Sequence, residues 1–113
     1  MLVLHVSDTH VGVQSRRYPF LFKDTLEAFK ETVDIAIRER VNVYVHAGDF
    51  FDRASPPPEA YLVVYKNLKR LKEAGIKVIA VAGQHDLSRH LGISPLDFFS
   101  MIDTIDLVAV DDV

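Results

Sequence analysis

Four short apolar runs, separated by stretches with helical periodicity, constrain this chain more than any other feature. The runs are Leu2 to Ser7, Val41 to Ala47, Lys77 to Ala82 and Ile105 to Val110, all rich in valine or isoleucine. Between the first two, Leu26, Phe29, Val33 and Ala36 recur at helical spacing, with Lys23, Glu27, Lys30, Glu31 and Arg38 elsewhere around the turn. Tyr61, Tyr65, Leu68 and Leu71 repeat the pattern and end near Gly75, a suitable residue just past a helix C-terminus. Pro58, last of the Ser-Pro-Pro-Pro run, suits a first helical turn, where a missing N–H costs nothing. Ser94 to Ile102 reads as a third, short helix. The order is βαβαβαβ. This predicts an α/β fold with a mostly parallel sheet and flanking helices. The first three runs are almost continuously apolar, a pattern that suits strands covered on both faces. The last run is followed at once by Asp-Asp-Val. That suits a portion of a longer protein, a chain that needs a partner surface, or simply an edge strand.

A length of 113 residues is enough for one domain with a real core. The net charge of -3 carries no basic excess, so any contact with nucleic acid must come from a local patch. The absence of cysteine removes disulfides and thiolate metal sites. No stretch reads as a signal peptide or membrane span, which makes a cytoplasmic or nucleoid-associated location the expectation.

Function in parallel α/β sheets collects at the carboxyl ends of strands. Three runs end there in similar polar clusters: Asp8 and His10 before Gly12; Gly48, Asp49 and Asp52; Gly83, Gln84, His85 and Asp86. Carboxylates crowded together repel and are costly to desolvate, so their convergence calls for a cation. A mixed Asp and His set suits manganese, iron, cobalt or zinc rather than calcium. Two ions roughly 3.5–4 Å apart would activate a water and hold the oxygens of an in-line phosphoryl displacement. Each cluster alone has a plainer reading as a turn. Three in sequence, each at a strand end, are a much stronger signal. His5, His46 and His90 read as structural. Asp52 and Asp86 read as residues that orient ligands rather than bind metal.

Asp-x-His, Gly-Asp and Gly-Gln-His-Asp, in this order, resemble the signature of calcineurin-like metallophosphoesterases. Within that superfamily the chain is similar to the Mre-eleven/SbcD family of DNA double-strand-break repair nucleases, through "HVSDTHVG", "HAGDFFDRASPPP" and "GQHD". The resemblance covers essentially all of residues 1–113 as one nuclease domain, half of a metallophosphoesterase αββα sandwich. It implies that Asp8, His10, Asp49 and Gln84 ligate a dinuclear, typically manganese, centre, with Asp49 bridging. It further implies that His85 acts on the leaving oxygen of a DNA phosphodiester. The family acts as homodimers with an SbcC-type coiled-coil ATPase. Two departures stand out. Glutamine replaces the usual asparagine at position 84, moving the amide roughly 1.5 Å farther out. A later lone histidine and a Gly-His-x-His motif are absent, which implies a portion of a longer nuclease or a divergent gene product.

Two alternatives accompany the nuclease reading: a non-catalytic fragment that folds and dimerises without a complete metal site, and a small-substrate phosphodiesterase or phosphatase. Arg16, Arg17, Arg53 and Arg89 follow the three motifs. They read either as solvated loop charges or as a positive rim for DNA phosphates. The aromatic and apolar residues near 59–74 and 95–102, Tyr61, Leu62, Tyr65, Leu96, Phe98 and Phe99 among them, exceed what one sheet face needs. They read as core or as a helical dimer interface.

Overall fold

The structure, a computed structural model, describes residues 1–52, 56–82, 95–101 and 104–110. Strands β1 (Val3–Val6), β2 (Val43–Ala47), β3 (Lys77–Ala82) and β4 (Leu107–Val110) alternate with helices α1 (Phe20–Arg38), α2 (Pro58–Glu73) and α3 (Pro95–Met101). The βαβαβαβ order is the one expected. The strands form one parallel sheet in the order β1-β2-β3-β4, with Val3 opposite Val43 and Val43 opposite Lys77.

That order decides where the core lies. Each strand adds beside the one before it, so right-handed crossovers put every helix on the same side. Tyr44, Val78 and Ala80 point to that side and are fully buried in one cluster with Leu26, Phe29, Val33, Val64, Leu68, Leu96 and Phe99, and His46 is fully buried on the same side. The alternate residues tell the opposite story. Val43, Val45, Ile79 and Val81 are only half-buried, and Val3 is 47% exposed. Among the described residues the helices lie on one face of the sheet and leave the other partly open.

Both long helices end the same way. Beyond α2, Gly75 (φ +77°) donates its N–H to Lys72 and Ile76 donates to Leu71, each at 3.0 Å. This paired closure satisfies carbonyls that a helix end would otherwise leave open. Beyond α1 the same bonds run from Arg40 to Ile37 and from Val41 to Ala36, but Arg40 takes the left-handed φ of +54°. Pro58 occupies the first turn of α2, as its sequence position suggests.

The buried stripe of α1 is the predicted Leu26, Phe29, Val33 and Ala36. That of α2 is rotated from the predicted one: Ala60, Val64, Asn67, Leu68 and Leu71 are buried, while Tyr65 is 37% exposed. Tyr61 lies at the margin, where its ring meets Phe51, Phe98 and Phe99 at centroid distances of 5.7–5.9 Å. Small Ala60 lets α2 approach the Gly12 loop closely, with 3.2 Å between its Cβ and the place where a Gly12 Cβ would lie. Leu96 and Phe99 belong wholly to this chain's own core, so of the apolar excess only Leu62, Tyr65 and Phe98 remain on the surface.

Candidate metal centre

The strands β1 and β2 stop, but their pairing does not. Asp8 donates its N–H to the Gly48 carbonyl at 3.1 Å, His10 to Asp49 at 3.1 Å and Val11 to Phe50 at 2.8 Å. Asp52 donates back to Val11 at 3.1 Å, and Val11 forms a parallel bridge with Phe51. Val11, Phe50 and Phe51 are fully buried, so the two loops are pinned at their far ends by the core. Between strand and pin, the backbone lifts Asp8, His10 and Asp49 out of the sheet.

The lift uses unusual backbone geometry. Asp8 (φ +56°), His10 (+45°) and Asp49 (+49°) all take left-handed conformations, which cost L-residues roughly 1–2 kcal/mol apiece. Among the described residues only Arg40, accounted for as a helix cap, is another non-glycine case. Left-handed strain of this kind persists where surrounding structure over-determines it, commonly at functional sites. Here it has one evident result. One donor atom from each of Asp8, His10 and Asp49 lies within 4.8 Å of the others.

The imidazole of His10 is held edge-on between two carboxylates. Its Nε2 faces Asp8 Oδ1 at 4.0 Å and its Nδ1 faces Asp52 Oδ1 at 3.7 Å. One nitrogen thus faces Asp8 in the cluster while the other faces the Asp52 carboxylate, and histidines that bind metals commonly have a carboxylate beside the second nitrogen. Two carboxylates and one imidazole fit a divalent transition metal, whose charge would offset the repulsion between Asp8 and Asp49.

Beneath the cluster lies His46, fully buried and stacked on Phe50 at 4.4 Å between ring centroids. Burial pushes its pKa down to about 4, with the neighbouring His5 adding to the shift, so the ring is neutral. Its Nε2 lies 2.8 Å from the Thr9 hydroxyl, which also donates to the Phe50 carbonyl at 2.9 Å. Neither Thr9 nor an active part for His46 follows from the sequence motifs. The available signal was a polar residue at a position that alternation assigns to the core, beside Tyr44.

The other expected site residues fall differently. Gln84, His85 and Asp86, with Arg53 and Arg89, lie outside the described residues, as does His90. Strand β3 pairs with β2 as far as Ala47 opposite Val81, so its carboxyl end is level with the start of the Asp49 loop. Arg16 lines an open cleft of about 620 Å³ with Gln14, Ser15, Pro19, Phe22, Pro57 and Glu59. Phe22 and Pro57 also pack around Gly12, so the cleft adjoins the segment that carries His10. Arg17 is exposed, its guanidinium 5.4 Å from the centre of the Tyr18 ring. His5 is exposed on the uncovered face. No helix among the described residues is long and apolar enough to cross a membrane.

The calcineurin-like phosphoesterase profile matches residues 1–111. The DNA double-strand break repair protein Mre11 of Sulfurisphaera tokodaii is 46% identical over 84 residues, covering 74% of this chain and 22% of that protein. The corresponding proteins of Saccharolobus solfataricus and Methanocaldococcus jannaschii are 38% and 32% identical. They match over 94% and 98% of this chain, and over 28% and 32% of their own lengths. The chain thus spans between about a fifth and a third of these relatives.

Proposed function

The chain belongs to the calcineurin-like phosphoesterase family, and from that premise we propose that it is part of a metal-dependent nuclease of DNA double-strand-break repair. The observation that carries this reading is the meeting of Asp8, His10 and Asp49 at the carboxyl edge of the sheet. The names of its relatives supply the substrate class. Asp8, His10 and Asp49 would hold a divalent cation, with Mn2+ the proposed ion, and Gln84 would complete a second site. Such ions supply Lewis-acid polarisation of the phosphate and a nucleophilic water near neutral pH.

The chain's own residues divide the remaining work. Asp52 holds the His10 ring so that Nε2 faces the cluster. Asp86 has the same orienting part in the third motif. His85 donates a proton to the leaving oxygen. Arg16, at the cleft beside the Gly12 loop, meets a phosphate of the DNA strand, and Arg17, Arg53 and Arg89 extend the positive rim. The exposed Leu62, Tyr65 and Phe98 form the contact between two copies of the chain, through α2 and α3. An SbcC-type coiled-coil ATPase is the proposed larger partner. The uncovered face with Val43, Val45, Ile79 and Val81 is where the second sheet of an αββα sandwich would pack.

The second reading is a fold that binds metal without turnover, for which Asp8, His10 and Asp49 suffice to hold one ion. Calorimetric titration with Mn2+, paired with degradation assays on linear duplex and single-stranded DNA, separates the two. Two ions and strand degradation support the nuclease. One ion without cleavage supports the second reading. Cleavage of a generic phosphate ester but not of DNA replaces both with a small-substrate esterase. Sedimentation of Leu62→Asp tests the interface, and a variant that still dimerises refutes it.

A further inference from the structure

Asp8 and His10 stand on one loop and Asp49 on another, and backbone bonds alone fix only the main chains. Thr9, between the first two, turns its side chain the opposite way, into the protein. Its oxygen lies 2.8 Å from His46 Nε2 and 2.9 Å from the Phe50 carbonyl. A carbonyl cannot donate, so the single hydroxyl proton of Thr9 goes to Phe50. The His46 bond must then run the other way, from an Nε2–H to the Thr9 oxygen. This fixes the tautomer of His46 and leaves Nδ1 as a bare acceptor. That atom is buried and has no hydrogen-bond partner.

An unsatisfied buried acceptor is normally removed by an apolar replacement, and the site would accept one. His46 points into the core, on the side of the sheet that holds Tyr44 and Val78, and its ring lies flat on Phe50. A leucine would keep much of that packing and abolish the orphan nitrogen. What it could not do is hold the Thr9 oxygen. Without the Nε2–H the hydroxyl keeps one bond and can swing about χ1. The Thr9 side chain then ties the backbone of Asp8 and His10 to the Asp49 loop through the Phe50 carbonyl alone, with the hydroxyl no longer fixed from its other side.

We infer that His46 and Thr9 form a positioning latch, Nε2–H to Oγ1 to the Phe50 carbonyl, that sets Asp8 and His10 against Asp49. The latch rests on the metal-centre reading given above. It makes His46 a positioning residue, two bonded steps from the ligands, rather than a filler of the core. Removing a group hydrogen-bonded directly to a ligand typically changes metal affinity by about 10–100-fold, and the latch, one step farther out, should fall at the lower end.

The test combines tautomer and affinity. Nitrogen-15 NMR of the histidine-labelled chain should show His46 neutral with the proton on Nε2; a proton on Nδ1 overturns the latch. Calorimetry with Mn2+, well below the melting temperature of each variant, should show about tenfold weaker binding for Thr9→Val and nearly unchanged binding for Thr9→Ser. His46→Gln, whose amide can donate in place of Nε2, should bind more tightly than His46→Leu. In the double variant His46→Leu/Thr9→Val the losses should not add. Should His46→Leu fail to fold, Thr9→Val against Thr9→Ser decides alone. Lower melting temperatures with unchanged Mn2+ affinity would mean an ordinary structural bond and overturn the inference. A wild-type chain that binds no Mn2+ overturns the metal-centre reading, and the latch with it. Wild-type binding matched by Thr9→Val overturns the latch alone.

Discussion

Replacing Asp8 by glycine should make the metal-free protein more stable while abolishing its response to metal. Asp8 sits at φ +56°. That conformation costs a residue with a Cβ about 1–2 kcal/mol, with aspartate toward the low end. Glycine relieves it but loses about 0.4–1 kcal/mol through the greater freedom of the unfolded chain. The change also removes one of the carboxylates that face each other within 4.8 Å. In a water-like medium that repulsion is worth less than about 1 kcal/mol. The net expectation is a gain of about 1 kcal/mol, or roughly 4 °C in melting temperature for a domain of this size. Asp8→Ala removes the same charge but keeps the left-handed strain, so it should melt about as wild type does or slightly below. Saturating Mn2+ should invert the order, since binding at one hundred times Kd adds about 2.7 kcal/mol to wild type only. Thermal melts at pH 8, with chelator and then with Mn2+, read all of this. Glycine and alanine variants that melt together in chelator would refute the claim that backbone strain is stored at position 8.

Arg40 supplies the matching control, because its φ of +54° serves a helix end and not the site. Arg40→Gly should stabilise the fold by about 1 kcal/mol with Mn2+ affinity unchanged, read by denaturant titration and calorimetry. His46 should make the fold acid-sensitive. Its folded pKa of about 4 lies below the ordinary histidine value of about 6.5, so the unfolded chain takes up the proton first. Stability from this residue is complete above about pH 6.5 and falls as pH drops toward 4, by about 2 kcal/mol at pH 5. Denaturant midpoints from pH 7 to 4.5 should show this for wild type and a flatter profile for His46→Gln. Phe99 lies fully buried, stacked against both Phe51 and Tyr61. Phe99→Ala should therefore cost about 3–5 kcal/mol of stability by denaturant titration, whereas Leu62→Asp, at a side chain 53% exposed, should cost well under 1.

The elements were legible because their periodicities are local. Leu26, Phe29, Val33 and Ala36 announce α1, and valine-rich runs announce the strands. Strand order is not local, and it made the difference at Val43, Val45, Ile79 and Val81. Their apolar character says that they avoid water, not which neighbour covers them. Helical spacing leaves Tyr65 readable as core or as interface, whereas small Ala60 and Val64 set how closely α2 packs and leave Tyr65 at the surface. The ligand types Asp8, His10 and Asp49 were readable from spacing at strand ends. Their left-handed backbone was not, since aspartate and histidine give no outward sign of it as glycine would. From the sequence His46 reads as structural because its partner, Thr9, is 37 residues away in the chain and adjacent only after β1 and β2 pair.

The pairing of each strand with its immediate predecessor also sets the order of assembly during synthesis. Asp8, Thr9, His10, His46 and Asp49 all lie in or just after the strands of the first βαβ unit, so the three-donor cluster precedes β3 in the order of synthesis. A cation captured by that nascent unit would contribute its binding free energy to the pairing of β1 with β2. The remaining strands would then be added to an edge already templated by the site, with the metal acting as a nucleus for the fold rather than as its last component.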